Sequence, residues 1–414
     1  MIDVAIIGGG PAGATAACAL AQRGRSVLIL EKDHFPRYHI GESMIPFCYF
    51  PLERIGFIDK LKTSRFPKKY SVQFVSVEGK VSKPFYFFKH MNHDASTTWQ
   101  VVRSGFDELL LQHAVEQGAR LEIGAKVKDF IMDGDRVAGV IAEKADGTLF
   151  DVPARAVIDA SGRNAFSIRK FQWQERDPEL RKVVIWTYYE GAKRDEGIDE
   201  AATTVAYVPE KGWFWYIPLP DNKVSVGIVA EKDYLYRDGS DPEQVFEREI
   251  EQNPWVQDHL SCGRRCAPYS VTADFSYRSR YCSREGLLLT GDAFSFLDPV
   301  FSSGLFLAFW GGEKAAIALD RVLSGGNDPA DVYTQYATEL RAGLEAMRKL
   351  VYAFYDSDFH FGKLVKAHPD LEGDLTDCLI GNVEKDFGPL FQAISSMARI
   401  PDSLSYGTPL LTSG

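Results

Sequence analysis

Three glycines near the start of the chain have types and spacing that could do chemistry. Gly8, Gly10 and Gly13 spell G-x-G-x-x-G. The first permits a tight turn, the second lets backbone approach a pyrophosphate, and the third lets a helix pack on the preceding strand. Asp3 to Ile7, just before them, is apolar and rich in β-branched residues, which suits a buried parallel strand. Ala14 to Gln22 reads as a helix of small residues, its N-terminal amides at Ala14 turned toward phosphate. Gly24 ends that helix, Ser26 to Leu30 forms a second strand, and Glu31 closes it at the spacing of a ribose-hydroxyl acceptor. The unit predicts a bound dinucleotide and suits FAD and NAD equally.

Two later segments place glycine and carboxylate at a strand end. Ala156 to Ala160 leads into Asp159-Ala160-Ser161-Gly162-Arg163, and Leu287 to Thr290 leads into Gly291-Asp292-Ala293. Open α/β sheets bind ligands at such ends. Asp292 is an acceptor suited to ribityl hydroxyls, which favours a flavin.

Together these segments resemble the flavoprotein monooxygenase superfamily, with its para-hydroxybenzoate hydroxylase-like fold, over residues 1 to about 345. The resemblance implies an extended FAD, with Glu31 at the adenosine ribose and Asp292 near the flavin. Arg103, in Val101-Val102-Arg103-Ser104-Gly105-Phe106-Asp107, resembles the arginine that opens a helix beside the cofactor there. Phe35-Pro36-Arg37 and Gly41-Glu42-Ser43 resemble F-P-R-x-x-x-G-E-S, near the flavin ring. Arg37 and Glu42 are thus counted with the cofactor, or else form a structural ion pair.

Within the superfamily, Trp213-Phe214-Trp215-Tyr216-Ile217-Pro218 is similar to the W-x-W-x-I-P signature of flavin-dependent halogenases. That resemblance implies an aromatic barrier at Trp213, Trp215 and Pro218 that keeps the organic substrate off the flavin; large flat side chains fill space rigidly. Leu297-Asp298-Pro299-Val300-Phe301-Ser302-Ser303-Gly304 resembles the D-P-x-x-S-x-G region, where backbone amides hold halide; here those belong to Ser303 and Gly304. A helix predicted over Leu305 to Leu319 puts an anion site at that point, and the same amides suit a flavin carbonyl at Gly304. Phe301 stands where halogenases of free tryptophan carry glutamate, so the resemblance is to the phenol- and pyrrole-halogenating branch.

The family also carries a lysine, followed two places on by a small residue and further on by an aromatic one. Lys69 with Ser71 and Phe74 fits; Lys68 is one register off. Strand alternation points the two to opposite faces. The resemblance then implies reduced FAD from a separate reductase, oxygen, and chloride or bromide. Hypohalous acid would pass behind Trp213 and Trp215 to Lys69, which polarises it or becomes a haloamine and halogenates an electron-rich phenol or pyrrole, free or carrier-bound. No second dinucleotide fingerprint is visible, which fits external delivery of reduced flavin. The rivals on this fold are a monooxygenase and a geranylgeranyl reductase-type enzyme, the reductases having tyrosine and phenylalanine where this chain has Trp213 and Ile217. A flavin-binding protein without turnover is a third.

These residues need a scaffold. The 414 residues, 45% hydrophobic, allow two to three domains. The expected architecture is a Rossmann-type α/β FAD-binding domain over 1–329, interleaved with an antiparallel substrate-side sheet from about 69–102 and 180–230. Helical periodicity from Pro329 onward predicts a cap over 330–414. Pro84-Phe85-Tyr86-Phe87-Phe88 suits either a pocket wall or a strand packed on both faces. Net charge −10 with interspersed signs argues against a nucleic-acid partner. The six cysteines lack metal-ligand spacing and read as reduced thiols of a cytoplasmic protein. The chain opens on a strand, so no signal peptide is expected. The apolar stretch from Leu287 to Trp310 is interrupted by Asp292 and Asp298, so no transmembrane segment is expected either.

Overall fold

A computed structural model describes residues 1–177, 179–273 and 276–410. The nucleotide fingerprint is folded as its sequence predicts. Strand Ile2–Ile7 lies between Val27–Glu31 and Leu149–Asp159, parallel to both. The sheet runs Thr408–Leu410, Tyr281–Arg284, Leu287–Leu289, Leu149–Asp159, Ile2–Ile7, Val27–Glu31 and Arg120–Ile123. The C-terminal ends of four of these strands, at Ile7, Leu30, Asp159 and Leu289, open on one cleft.

The first helix spans Pro11–Ala21, three residues earlier than its small-residue run suggests. Proline at a first helical position costs no hydrogen bond and is pre-set for the helix. The shift corrects the role expected of Ala14. Its amide donates to the Gly10 carbonyl at 2.9 Å, and its side chain is fully buried. The amides near a phosphate are therefore those before it. Gly13 has the packing role expected of it: a Cβ there would lie 2.0 Å from the Gly8 carbonyl oxygen.

The second layer is an eight-stranded sheet, ordered Arg264–Arg265, Lys182–Glu190, Lys223–Glu231, Trp213–Leu219, Thr203–Tyr207, Ser71–Val75 and Phe85–Tyr86, with Ser270–Ala273 beside Lys182–Glu190. It is mixed rather than wholly antiparallel, because Thr203–Tyr207 runs parallel to Ser71–Val75. It also recruits residues beyond 180–230. Its strands alternate cleanly: Trp213, Trp215 and Ile217 share a face with Val184 and Trp186. Phe214 and Tyr216 face a separate core formed with helices Pro242–Ile250 and Pro254–Leu260.

The C-terminal part is helical from Pro329–Tyr355 onward, with Phe361–Ala367, Glu372–Ile380 and Gly388–Ser395 following. It covers the Trp213–Trp215 face through Phe354, Phe387 and Phe391. It does not end as a cap: strand Thr408–Leu410 returns to the nucleotide sheet, parallel to Tyr281–Arg284. Residues 411–414 of the expected cap lie outside the described residues. No helix among the described residues is long and apolar enough to cross a membrane.

A flavin-sized cleft and its aromatic wall

A cavity of about 1100 Å³ runs between the two sheets. One end is lined by Gly8, Gly10, Pro11, Ala12 and Glu31, the other by Trp213, Trp215, Ile217, Ser303 and Gly304. The first end is built by the fingerprint. Glu31 is buried, and its two carboxylate oxygens accept from the Gly9 and Asp33 amides, both at 2.8 Å. Each oxygen keeps a lone pair for a ligand hydroxyl. Asp292, on the short turn Gly291–Ala293, also lines the cavity, and its carboxylate has no hydrogen-bond partner among the described residues. Burial pushes it up to about 6, against the pull of Arg163 and Arg103. Volume, backbone approach and the acceptors Glu31 and Asp292 fit an extended FAD.

Arg37 and Arg103 both line the cavity, and both reach Asp107. Arg103 opens helix Arg103–Glu116 and borders the cavity, but its guanidinium is occupied. It grips Asp107 at 2.7 and 2.9 Å and donates to the Ile40 and Gly41 carbonyls. It holds the Ile40-Gly41 loop against the cavity. Arg37 pairs with Asp107 at 3.5 Å, not with Glu42, so the ion pair between those two does not form. Glu42 is buried, lines the cavity and accepts from Tyr188 Oη at 2.6 Å. Burial pushes it up to about 7, opposed by the Tyr188 and Ser225 hydroxyls and by Arg103.

The aromatic wall follows from strand alternation. Trp213, Trp215 and Ile217 line the cavity; Pro218 is buried but is not among the lining residues, and alternation turns it to the opposite face. The expected barrier role of Pro218 is therefore not supported by its position. Both indole N–H groups are anchored. Trp213 Nε1 donates to Tyr355 Oη at 2.8 Å, which donates to Asp298 at 2.9 Å. Trp215 Nε1 donates to Ser225 Oγ at 3.1 Å. Trp186, missed in the sequence, extends the wall and donates to Tyr38 Oη at 2.6 Å.

Gly227 makes the wall possible. It pairs with Trp215 on one side and Trp186 on the other. A Cβ there would lie 2.3 Å from the Trp215 ring and 2.7 Å from Trp186 Cβ. A glycine inside a strand pattern is a visible signal of such close approach, but its partners are not local in sequence.

Ser303 and Gly304 line the cavity where helix Gly304–Ser324 begins. First-turn amides have no partner inside a helix, and a Cβ on Gly304 would meet nothing within 4 Å. The approach is shaped by Ser302 in a left-handed conformation (φ +54°) and by Asp298, which accepts from the Val300 amide at 3.1 Å. Phe301 is buried in the core shared by sheet and helices.

Lys68 is exposed and Lys69 fully buried, the opposed faces that alternation predicts. Lys69 Nζ donates to Ser43 Oγ at 2.8 Å and to the Met44 carbonyl at 3.0 Å, with the Phe87 ring 5.5 Å away. Burial pushes it down to about 7. Lys69 itself is not among the residues lining the cavity; Ser43 and Thr203 are. The Phe85–Phe88 run is not a cavity wall: Phe87 packs beside Lys69 and Phe88 is exposed. All six cysteines are free, and no cluster among the described residues could hold a metal.

Residues 1–349 match the family model of an FAD binding domain. Over 92% of its length the chain is 33% identical to a 1H-pyrrole-2-carbonyl-[peptidyl-carrier protein] brominase of Pseudoalteromonas luteoviolacea, covering 91% of that protein. The chain belongs to the flavin-dependent halogenases. Among similar proteins is a 1H-pyrrole-2-carbonyl-[peptidyl-carrier protein] chlorinase of Pseudomonas fluorescens, 27% identical over 92% of this chain and 89% of that one. A solved flavin-dependent brominase superposes with a TM-score of 0.87, at 28% identity, over 95% of this chain and 98% of its own. The myxobacterial chondrochloren halogenase superposes at 0.80, with 26% identity, over 98% and 99%. This halogenase thus has FAD as its cofactor and the para-hydroxybenzoate hydroxylase-like fold.

Proposed function

We propose that this halogenase installs chlorine or bromine on a pyrrole- or phenol-type ring, with a carrier-bound pyrrole as the leading candidate. The observation that carries the reading is a single cavity joining the nucleotide fingerprint to the anchored tryptophan wall and the Ser303–Gly304 helix start. Two relatives named for carrier-bound pyrroles, each aligned over about nine-tenths of both chains, support the substrate class.

The residues divide the work. Gly8, Gly10 and Glu31 hold the adenosine end, and Asp292 accepts from the ribityl chain. Bound FAD, reduced by a separate reductase, supplies the redox chemistry that turns oxygen and halide into hypohalous acid. Ser303 and Gly304 amides hold the halide by their partial positive charge. Trp213 and Trp215 keep the organic substrate off the flavin ring. Lys69, behind the cavity lining at Ser43, polarises the hypohalous oxygen by preorganised electrostatics.

The test supplies chemically reduced FAD, oxygen and bromide with phenols, free pyrroles and carrier-loaded pyrrole-2-carboxylate. Brominated product, lost in Lys69→Ala, is expected. Hydroxylated product, or turnover indifferent to halide, overturns the reading; bromination of free rings alone removes the carrier.

A further inference from the structure

Lys69 does not reach the cavity, yet a chain of hydroxyls does. Its Nζ donates to Ser43 Oγ at 2.8 Å, and Ser43 Oγ lies 2.9 Å from Thr203 Oγ1. Gln100 anchors the far end of this chain. Its Nε2 donates to the Ala201 carbonyl at 3.0 Å and to Thr203 Oγ1 at 2.9 Å. A carbonyl can only accept, so the amide is oriented and Thr203 Oγ1 must accept from it. Ser43 Oγ accepts from Lys69, so its own proton is free to go to Thr203. Thr203 then has one proton left to give, and it lines the cavity. The backbone holds the three segments in register: Ser43 bridges Gln100, the Val101 amide donates to the Glu42 carbonyl at 2.7 Å, and Lys68–Lys69 pairs with Thr98–Trp99.

We propose that Ser43 and Thr203 form a hydroxyl relay that connects Lys69 to the cavity and delivers its proton there. The relay rests on the halogenase reading with Lys69 as proton source. As the aromatic carbon takes the halogen, a C–halogen bond forms from a ring electron pair. The O–halogen bond breaks with its pair on oxygen. That oxygen takes the Thr203 proton and leaves as water, while Ser43 and then Lys69 each pass a proton one place forward. The proton shed by the ring returns along the same chain to Lys69. Aromatic C–H plus hypohalous acid thus becomes aromatic C–halogen plus water. Lys69 acts here as an acid through two hydroxyls, not as a haloamine, because its nitrogen lies behind Ser43 and does not line the cavity. Thr203, whose proton goes to the reacting oxygen, is a catalytic residue; Ser43 and Gln100, which act through it, are positioning residues.

The experiment compares Thr203→Val, Thr203→Ser, Ser43→Ala and Lys69→Ala, with reduced FAD, oxygen, bromide and phenol and pyrrole probes. A soluble trap collects hypobromous acid that escapes. Thr203→Val is expected to lower brominated product per oxygen consumed about 100-fold, the scale of lost general acid catalysis. Trapped hypobromous acid should rise, and FAD binding should hold. Thr203→Ser should restore most of the yield. A second readout needs no flavin: the ¹⁵N signal of Lys69 Nζ, followed with pH in the FAD-free protein. Its titration should move to lower pH in Ser43→Ala, where the ammonium loses an acceptor, and stay in place in Thr203→Val. The titratable group facing Lys69 is the Cys48 thiol, pushed up to about 12 by burial and so neutral throughout. Wild-type coupling in Thr203→Val or Ser43→Ala, with Lys69→Ala inactive, overturns the relay and spares the lysine. Full yield in Lys69→Ala overturns both. Loss of FAD binding in both hydroxyl variants makes the two residues structural and also overturns the relay.

Discussion

Lys69 is held in a place that suits its chemistry and not its stability. No carboxylate among the described residues faces it, and burial pushes its amine from 10.5 to about 7. A base with a depressed folded pKa favours folding above its unfolded value and costs stability as pH falls toward the folded one. Lys69→Met removes that cost. It should abolish halogenation while stabilising the FAD-free protein by roughly 4 kcal/mol near pH 7, with the gain fading toward pH 10.5; denaturant melts across this range check it. Glu42 runs the other way, from 4.5 up to about 7. Its contribution is full below 4.5 and lost as pH rises through 7. Glu42→Gln should therefore flatten the fall in melting temperature between pH 4.5 and 7; a fall as steep as in the wild type would show that Glu42 is not its source. At this scale the sequence exposed residue types with a fixed local spacing: Gly8, Gly10, Gly13, Glu31, and the opposed faces of Lys68 and Lys69. It hid every role decided by a distant partner. Arg37 turns to Asp107, 70 places on, and Lys69 reaches Ser43, 26 places back.

Among elements, the wall depends on strand pairing more than on its own strand. Trp213–Leu219 is legible as a strand, and its period of two turns Pro218 away from Trp213 and Trp215. Pro11 likewise marked the true helix start. The contribution of strand Lys223–Glu231 was not readable, because the room Gly227 leaves is for side chains on two other strands. Gly227→Ala adds one methyl group, which must displace the Trp215 indole and break its bond to Ser225. Overpacking of this kind typically costs about 1–3 kcal/mol. The expected outcome is a lowered melting temperature together with substrate hydroxylation or escaping hypohalous acid, seen by product analysis. An unchanged product ratio would show that Trp215 is not a barrier.

For the molecule as a whole, the C-terminal segment is a tie as well as a cover. Leu404 and Asp402 bond to Glu345 and Arg348, Tyr406 stacks on Phe294, and Thr408–Leu410 joins the nucleotide sheet. Ending the chain at Ile400 should lower the stability of the nucleotide-binding layer, not only of the helices. It should weaken FAD binding, although none of the described residues removed lines the cavity; FAD titrations of the truncated protein check this. The final strand left no helical or nucleotide signature in the sequence, since a three-residue edge strand is defined by its neighbour.

Three indoles, Trp186, Trp213 and Trp215, line the same cavity as the flavin site. Their emission overlaps flavin absorption, so energy passes efficiently from ring to ring at such distances. The chain therefore carries its own optical gauge. Quenching of indole fluorescence reports cofactor loading directly, and the remaining four of the seven tryptophans set the background.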